Sequence, residues 1–149
     1  MLELEYYNET NEDISDIFFD ELLGIINENF DYIFPNQVNK KQDYLITCTL
    51  INDALMQKIN KEQRGVNKTT DVVSLSYLND SFPGQNVIGE IFISVPTAKK
   101  QAKERGHETL TEIKFLFVHG VLHILGYEHQ TEKDFQIMME LTNEILKSA

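Results

Sequence analysis

Residues 109 to about 125, TLTEIKFLFVHGVLHIL, leave the fold little choice. Leu110, Ile113, Phe117, Val121 and Ile124 recur at helical spacing, and Phe115, Val118, Leu122 and Leu125 widen that stripe until the helix is apolar on nearly every side. A helix of that kind is a buried one, so the rest of the chain is expected to wrap it. The surroundings read as strands and amphipathic helices. LELEYYN (2–8), DYLITCTLI (43–51), DVVSLSYL (71–78) and VIGEIFISV (87–95) have strand patterning. Helices are predicted from about Glu12 to Asn29, with Ile14, Ile17, Phe18, Leu22 and Ile25 inside, and from about Asn52 to Gln63, with Ala54, Leu55 and Ile59 on one face.

The remaining helical signals follow the strands. Pro96 suits the first turn of a helix carrying Ala98 and Ala102. Thr131, three residues before Asp134, resembles an N-cap for a last helix with Phe135, Met138, Leu141 and Ile145 inside. Loops are expected over DYIFPNQVNKKQ (31–42), with Pro35 and Asn36 as turn signals, and over NDSFPGQN (79–86). The order β-α-β-α-β-β-α-α-α predicts an α+β (α/β-like) domain over 1–149. It has a small mixed four-stranded sheet packed with about five helices, the central one carrying two histidines.

Composition narrows the function classes. Hydrophobic residues make up 42% and charged residues 25%, as in soluble globular chains. No apolar run is long enough to cross a bilayer, and the acidic N-terminus is unlike a signal peptide. The single cysteine, Cys48, excludes an internal disulfide and, in a predicted strand, reads as core rather than ligand. A cytoplasmic protein is expected, with no membrane partner. A net charge of −11 opposes indiscriminate nucleic-acid binding. Eight of the 13 basic residues nevertheless form two clusters: Lys58, Lys61, Arg64 and Lys68, then Lys99, Lys100, Lys103 and Arg105. Such clusters are ordinarily solvated faces; the alternative is a local basic groove on an acidic body.

HGVLHILGYEH (119–129) carries the chemistry. His119 and His123 are four apart on the buried helix, so their rings share a face. Gly126 can adopt the left-handed conformation that ends a helix and turns the chain back, bringing His129 to the same point. Two helical rings and one returning ring make a three-nitrogen metal site with an open fourth position, the usual arrangement for catalytic zinc. Unpaired imidazoles on a buried helix would otherwise cost about 1–3 kcal/mol each. The spacing is shared with metzincin proteases, but there a glutamate follows the first histidine as general base. Gly120 stands here instead, which disfavours peptide cleavage. Glu128 is a possible substitute or simply a solvated loop carboxylate.

HGVLHILGYEH also resembles the H-G-x-L-H-L-x-G-Y-D-H signature of the YbeY family of bacterial rRNA maturation factors. NKEQRGVNKTTDVVSLSY (60–77) is similar to the family's N-x-x-Y-R-x-K-D-x-P-T-D-V-L-S-F segment, and IGEIFISVPTAKKQA to its G-D-I-x-I strand and following helix. The likeness covers roughly residues 44–147. It implies a zinc-dependent (or other divalent metal), single-strand-specific endoribonuclease acting in 16S rRNA processing and ribosome quality control. The implied partners are rRNA and the ribosome or its proteins, with no DNA substrate. His119, His123 and His129 match the family's metal ligands. Arg64 matches its functionally important arginine and, with His119, is implied in catalysis; Lys61 and Lys68 are assigned with Arg64 to substrate binding. Asp71 matches a position read mainly as structural. The departures are Glu128 for Asp, Val66 and Asn67 for Lys-Asp, Thr69 for Pro and Leu75 for Phe. The lost lysine at 66 weakens the same RNA grip, and Lys68 is the replacement at hand.

Phosphodiester chemistry suits these residues better than peptide hydrolysis, because a metal and a planar guanidinium can share the charge spread over phosphoryl oxygens. Two other readings compete: a metallohydrolase of another substrate class, and a ribosome-assembly binding factor whose metal is structural. Water and the RNA 2′-hydroxyl both remain open as the attacking group.

Overall fold

A computed structural model describes residues 1–35, 38–39, 41–78 and 86–149. The expected turn at Asn36 and nearly all of the expected loop over 79–86 fall outside them. Among the described residues are four strands and six helices: β1 (Leu2–Asn8), α1 (Ile17–Glu28), α2 (Phe30–Ile33), β2 (Tyr44–Ile51), α3 (Asp53–Arg64), β3 (Val72–Ser76), β4 (Val87–Ser94), α4 (Val95–Arg105), α5 (Thr109–Ile124) and α6 (Glu132–Lys147). The short α2 is the addition to the sequence reading, which placed a loop there.

The sheet order is β1-β2-β4-β3, with β1, β2 and β4 parallel and β3 antiparallel to β4 at one edge. Parallel neighbours need crossover connections, and α1 and α3 lie in them. This is the mixed α+β sheet that the alternating elements predict. Side chains alternate between its two faces. Ile91 and Ile93 of β4 join the large core with Phe117, Val118 and Val121 of α5, while Phe92 joins Met56 of α3 and Val73 in a smaller cluster. Each large apolar side chain fully buried this way contributes roughly 1.5–3 kcal/mol. α5 is the buried central helix, with Ile113, Phe117, Val118, Val121, Leu122 and Ile124 without measurable exposure.

Local packing corrects three helix faces. In α1 the buried residues are Phe19, Leu22, Leu23 and Ile26, one step round from the expected stripe, and Ile17 is 62% exposed. Phe19 wins because its ring meets Phe117 of α5, with centroids 4.9 Å apart. In α3 the buried pair is Met56 and Asn60, whereas Ala54 is exposed. Asn60 turns inward because its Nδ2 donates to the Lys68 carbonyl at 2.8 Å, pinning the turn after the helix. In α6 Met138, Leu141 and Ile145 are buried as expected, but Phe135 is 49% exposed, its ring lying edge-on to His129 instead. The Thr131 cap is present, its hydroxyl accepting from the Asp134 N–H. Cys48 is fully buried core, and burial pushes its thiol pKa up.

Candidate metal and substrate site

The end of α5 builds the histidine cluster. Gly126 has φ +104°; its N–H donates to the His123 carbonyl at 3.0 Å, and the Tyr127 N–H donates to the Leu122 carbonyl at 3.0 Å. These paired bonds reverse the chain with a conformation that glycine adopts without strain. Tyr127 then fixes the far side of the turn, its hydroxyl donating to the Ile33 carbonyl at 2.7 Å. His129 emerges two residues later, facing the rings of His119 and His123 at centroid distances of 5.7 and 5.0 Å. His119 and His123 themselves are 4.8 Å apart. One ligand nitrogen from each of the three lies within 4.8 Å of the others.

At His119 and His123 the electrostatics favour the uncharged ring that a cation needs. Burial, then the neighbouring His123 and His129, lowers the His119 pKa to about 4. Burial also lowers that of His123, with His129 and the Arg64 charge adding to the effect. Neutral imidazoles are the metal-binding form. His119 Nδ1 is buried without a hydrogen-bond partner among the described residues, a polar atom that protein groups leave unserved. Three imidazole nitrogens around one point, with no carboxylate bonded to them among the described residues, fit a divalent ion with an open position. Phe115 stacks on His119 at 5.7 Å and 18° between planes, holding the first ring in place.

A cleft of about 620 Å³ opens over the cluster. One wall is α5 and its turn, with Phe115, Leu116, His119, His123, Glu128 and His129; the other has Arg64, Asp71, Val72 and Ser74. The fold thus brings Arg64 and the three histidines into one space, although more than fifty residues separate them in sequence. Arg64 leans on β3, its Nη2 donating to the Val72 carbonyl at 3.5 Å. Lys61 and Lys68 are exposed near Arg64 and do not line the cleft. Ser74 and Phe115 were missed from sequence. The signal for Ser74 was available, since Val72 and Ser74 are two apart on a strand and share a face.

Gly120 has a packing reason. A Cβ there would lie 2.9 Å from Ser74 Oγ and 3.1 Å from Ile91 Cδ1, so the side chains of Ser74 and Ile91 would have to shift to admit one. A glutamate at 120 would thus point at the sheet, against Ser74 and Ile91. The second basic cluster is largely committed elsewhere: Lys99 pairs with Glu12, and Arg105 with buried Glu112.

Comparison with known proteins agrees with this picture. A protein named Endoribonuclease YbeY from Leptospira biflexa is 36% identical over 141 residues, covering 93% of this chain and 88% of its own. Another of that name from Geobacillus sp. is 32% identical over 156 residues, covering 99% and 96%. One from Bacillus licheniformis is 42% identical over 110 residues, covering 68% and 69%. The solution structure of a Thermotoga maritima protein superposes with a TM-score of 0.60 over 98% of this chain and 91% of that one, at 19% identity, and so shares the fold. The sequence profile described as Endoribonuclease YbeY matches residues 7–149. With that match and those relatives, the chain belongs to the YbeY endoribonuclease family.

Proposed function

We propose that this protein is a zinc-dependent endoribonuclease that cuts single-stranded RNA, acting with the whole of 1–149 as one catalytic domain. Its setting is rRNA maturation, including 16S rRNA processing, and ribosome quality control in the cytoplasm, with the ribosome and its proteins as partners. The observation that carries the reading is the placement of Arg64 opposite His119, His123 and His129 across one cleft. The three histidines would hold the ion, and its contribution when bound is Lewis acidity toward a phosphoryl oxygen.

The chain's own groups do the rest. The Arg64 guanidinium offers a planar fork of donors to the phosphate from the opposite wall, where charge develops in the transition state. Phe115 and Leu116 supply an apolar floor that limits water around the reacting bond. Glu128 and Asp71 are the carboxylates that line the cleft and can accept a proton. Lys61 and Lys68 lie outside it, suited to steering the RNA backbone toward the mouth rather than to the chemistry. Zinc is favoured by an all-nitrogen donor set of three histidines.

The test couples metal analysis to cleavage of matched single-stranded and duplex RNAs. About one zinc per chain and metal-dependent nicking of the single strand support the reading. Undiminished cleavage by chelator-treated protein would overturn the metal's role. Cleavage of peptides but not RNA would point to another hydrolase class. Histidine variants that unfold rather than remain folded and inactive would assign the metal a structural role.

A further inference from the structure

At the opposite end of α5 from the metal cluster, a second polar network reaches into the same cleft. Glu112, in the first turn of α5, has no exposed surface. Its Oε1 accepts from Arg105 Nη1 at 2.5 Å, and its Oε2 lies 2.6 Å from His107 Nε2. A buried carboxylate so closely surrounded by donors is fixed in orientation. The chain of contacts continues through Gln101 on α4. In the amide orientation that satisfies both neighbours, its nitrogen lies 3.2 Å from Glu112 Oε1 and 3.3 Å from Asp71 Oδ2. Asp71 is a cleft residue whose Oδ1 accepts from the Val72 N–H at 2.7 Å and from the Thr70 hydroxyl at 3.3 Å. The Val72 carbonyl, in turn, receives Arg64.

We infer that Gln101 is a positioning residue: by bridging buried Glu112 to Asp71, it ties α5 to the start of β3, the strand whose Val72 carbonyl receives the Arg64 guanidinium. It thereby sets the spacing between that guanidinium and the three imidazoles. The argument is geometric. Glu112 and His119 are seven residues apart on one rigid helix, so a brace from Glu112 to β3 registers the histidine wall against the arginine wall. Without it, the Asp71 side chain keeps only its Oδ1 bonds, its carbonyl staying on the Ser94 N–H, and the first turn of α5 loses its polar tie to the start of β3. A shift of about 1 Å in a catalytic group can cost on the order of 100-fold in rate. The role in catalysis rests on the endoribonuclease reading; the brace itself does not.

The experiment is a double-mutant cycle between Gln101→Met, which keeps the side chain's length and removes its donors, and Arg64→Ala. Gln101→Met is expected to lower kcat for single-stranded RNA roughly 10- to 100-fold with little change in KM or metal content. In the Arg64→Ala background it should lower kcat no further, because its effect is transmitted through the arginine. Losses that multiply independently would overturn the inference. A second readout needs no activity: the guanidinium resonances of Arg64 should shift in Gln101→Met, and an unchanged Arg64 signal would equally overturn it. If the wild-type protein fails to cut RNA, the function is wrong while the resonance still decides the brace. Glu112→Gln, run in parallel, keeps the shape and weakens the anchor, so it judges the same link if Gln101→Met does not fold.

Discussion

The two ends of α5 each gather three ionisable side chains, and they use them oppositely. At the start, Arg105, His107 and Glu112 bring opposite charges together around a carboxylate without exposure, and each contact is closed. At the end, His119, His123 and His129 bring like groups together, with no carboxylate bonded to them among the described residues and a cleft above. A histidine beside a carboxylate is a strut; three histidines facing one another with a nitrogen unserved are a ligand set for a cation. Histidine density alone does not separate these cases. The partner does.

The largest effect that would sharpen this contrast lies at the open end. His123→Ala should abolish stoichiometric metal and lower RNA cleavage by at least about 100-fold in a protein that stays folded, checked by metal analysis and melting. Across the cleft, Arg64→Ala should lower kcat about 100- to 1,000-fold while metal content is retained, which steady-state kinetics on a short single-stranded RNA would read. The closed end should answer in stability. Arg105→Ala leaves the Glu112 carboxylate buried with one fewer donor and should cost about 2–3 kcal/mol in denaturant unfolding. Glu112→Leu should cost less, because Arg105 and His107 are part-exposed and can return to water. The reverse order would break the distinction between strut and site.

Two smaller effects test the seam and the titration. Gly120→Ala should destabilise by about 1–2 kcal/mol, since its Cβ must push against Ser74 and Ile91. In metal-free protein, folded His119 takes up its proton only at about 4, whereas an unfolded imidazole does so near 6.5. The unfolded chain binds more protons between those values, so stability rises with pH across that window. The contribution is fully present above about 6.5 and is lost as pH falls toward 4. His119→Asn should flatten that part of a stability–pH curve.

Much of this was legible in the sequence for local reasons. β1 occupies the predicted 2–8, Gly126 turns the chain as expected, and the Thr131 cap sits where its spacing indicates. Each depends on neighbours within a few residues. The stripe of α1 was misread because Ile14, Ile17 and Phe18 and the alternative Phe19, Leu23 and Ile26 both satisfy helical spacing; the rings of Tyr6 on β1 and of Phe117, almost a hundred residues on, choose between them. Asn60 and Phe135 trade places with expectation for the same kind of reason, one held by the Lys68 carbonyl and the other set beside His129. Buried Glu112 was overlooked because periodicity cannot flag a charged residue whose partners arrive from the preceding turn. The histidine trio was readable because its geometry is almost wholly local, whereas the facing wall of Arg64, Asp71 and Ser74 exists only once β3 is laid beside α5.

The tether from the Tyr127 hydroxyl to the Ile33 carbonyl joins residues 94 apart in sequence, and it bears on how the cluster comes apart. His119 and His123 are partly buried on α5, the central core helix, and separate from each other only when that helix opens. His129 stands on an exposed turn held by this bond, by the packing of Tyr127 against the core and by the helix reversal before it. Local openings cost far less than global unfolding, so the three rings should have unequal lifetimes: a durable pair and a third that leaves and returns on its own schedule. The exchange of backbone amides around 127–129 would thus measure the opening of the site separately from the stability of the protein.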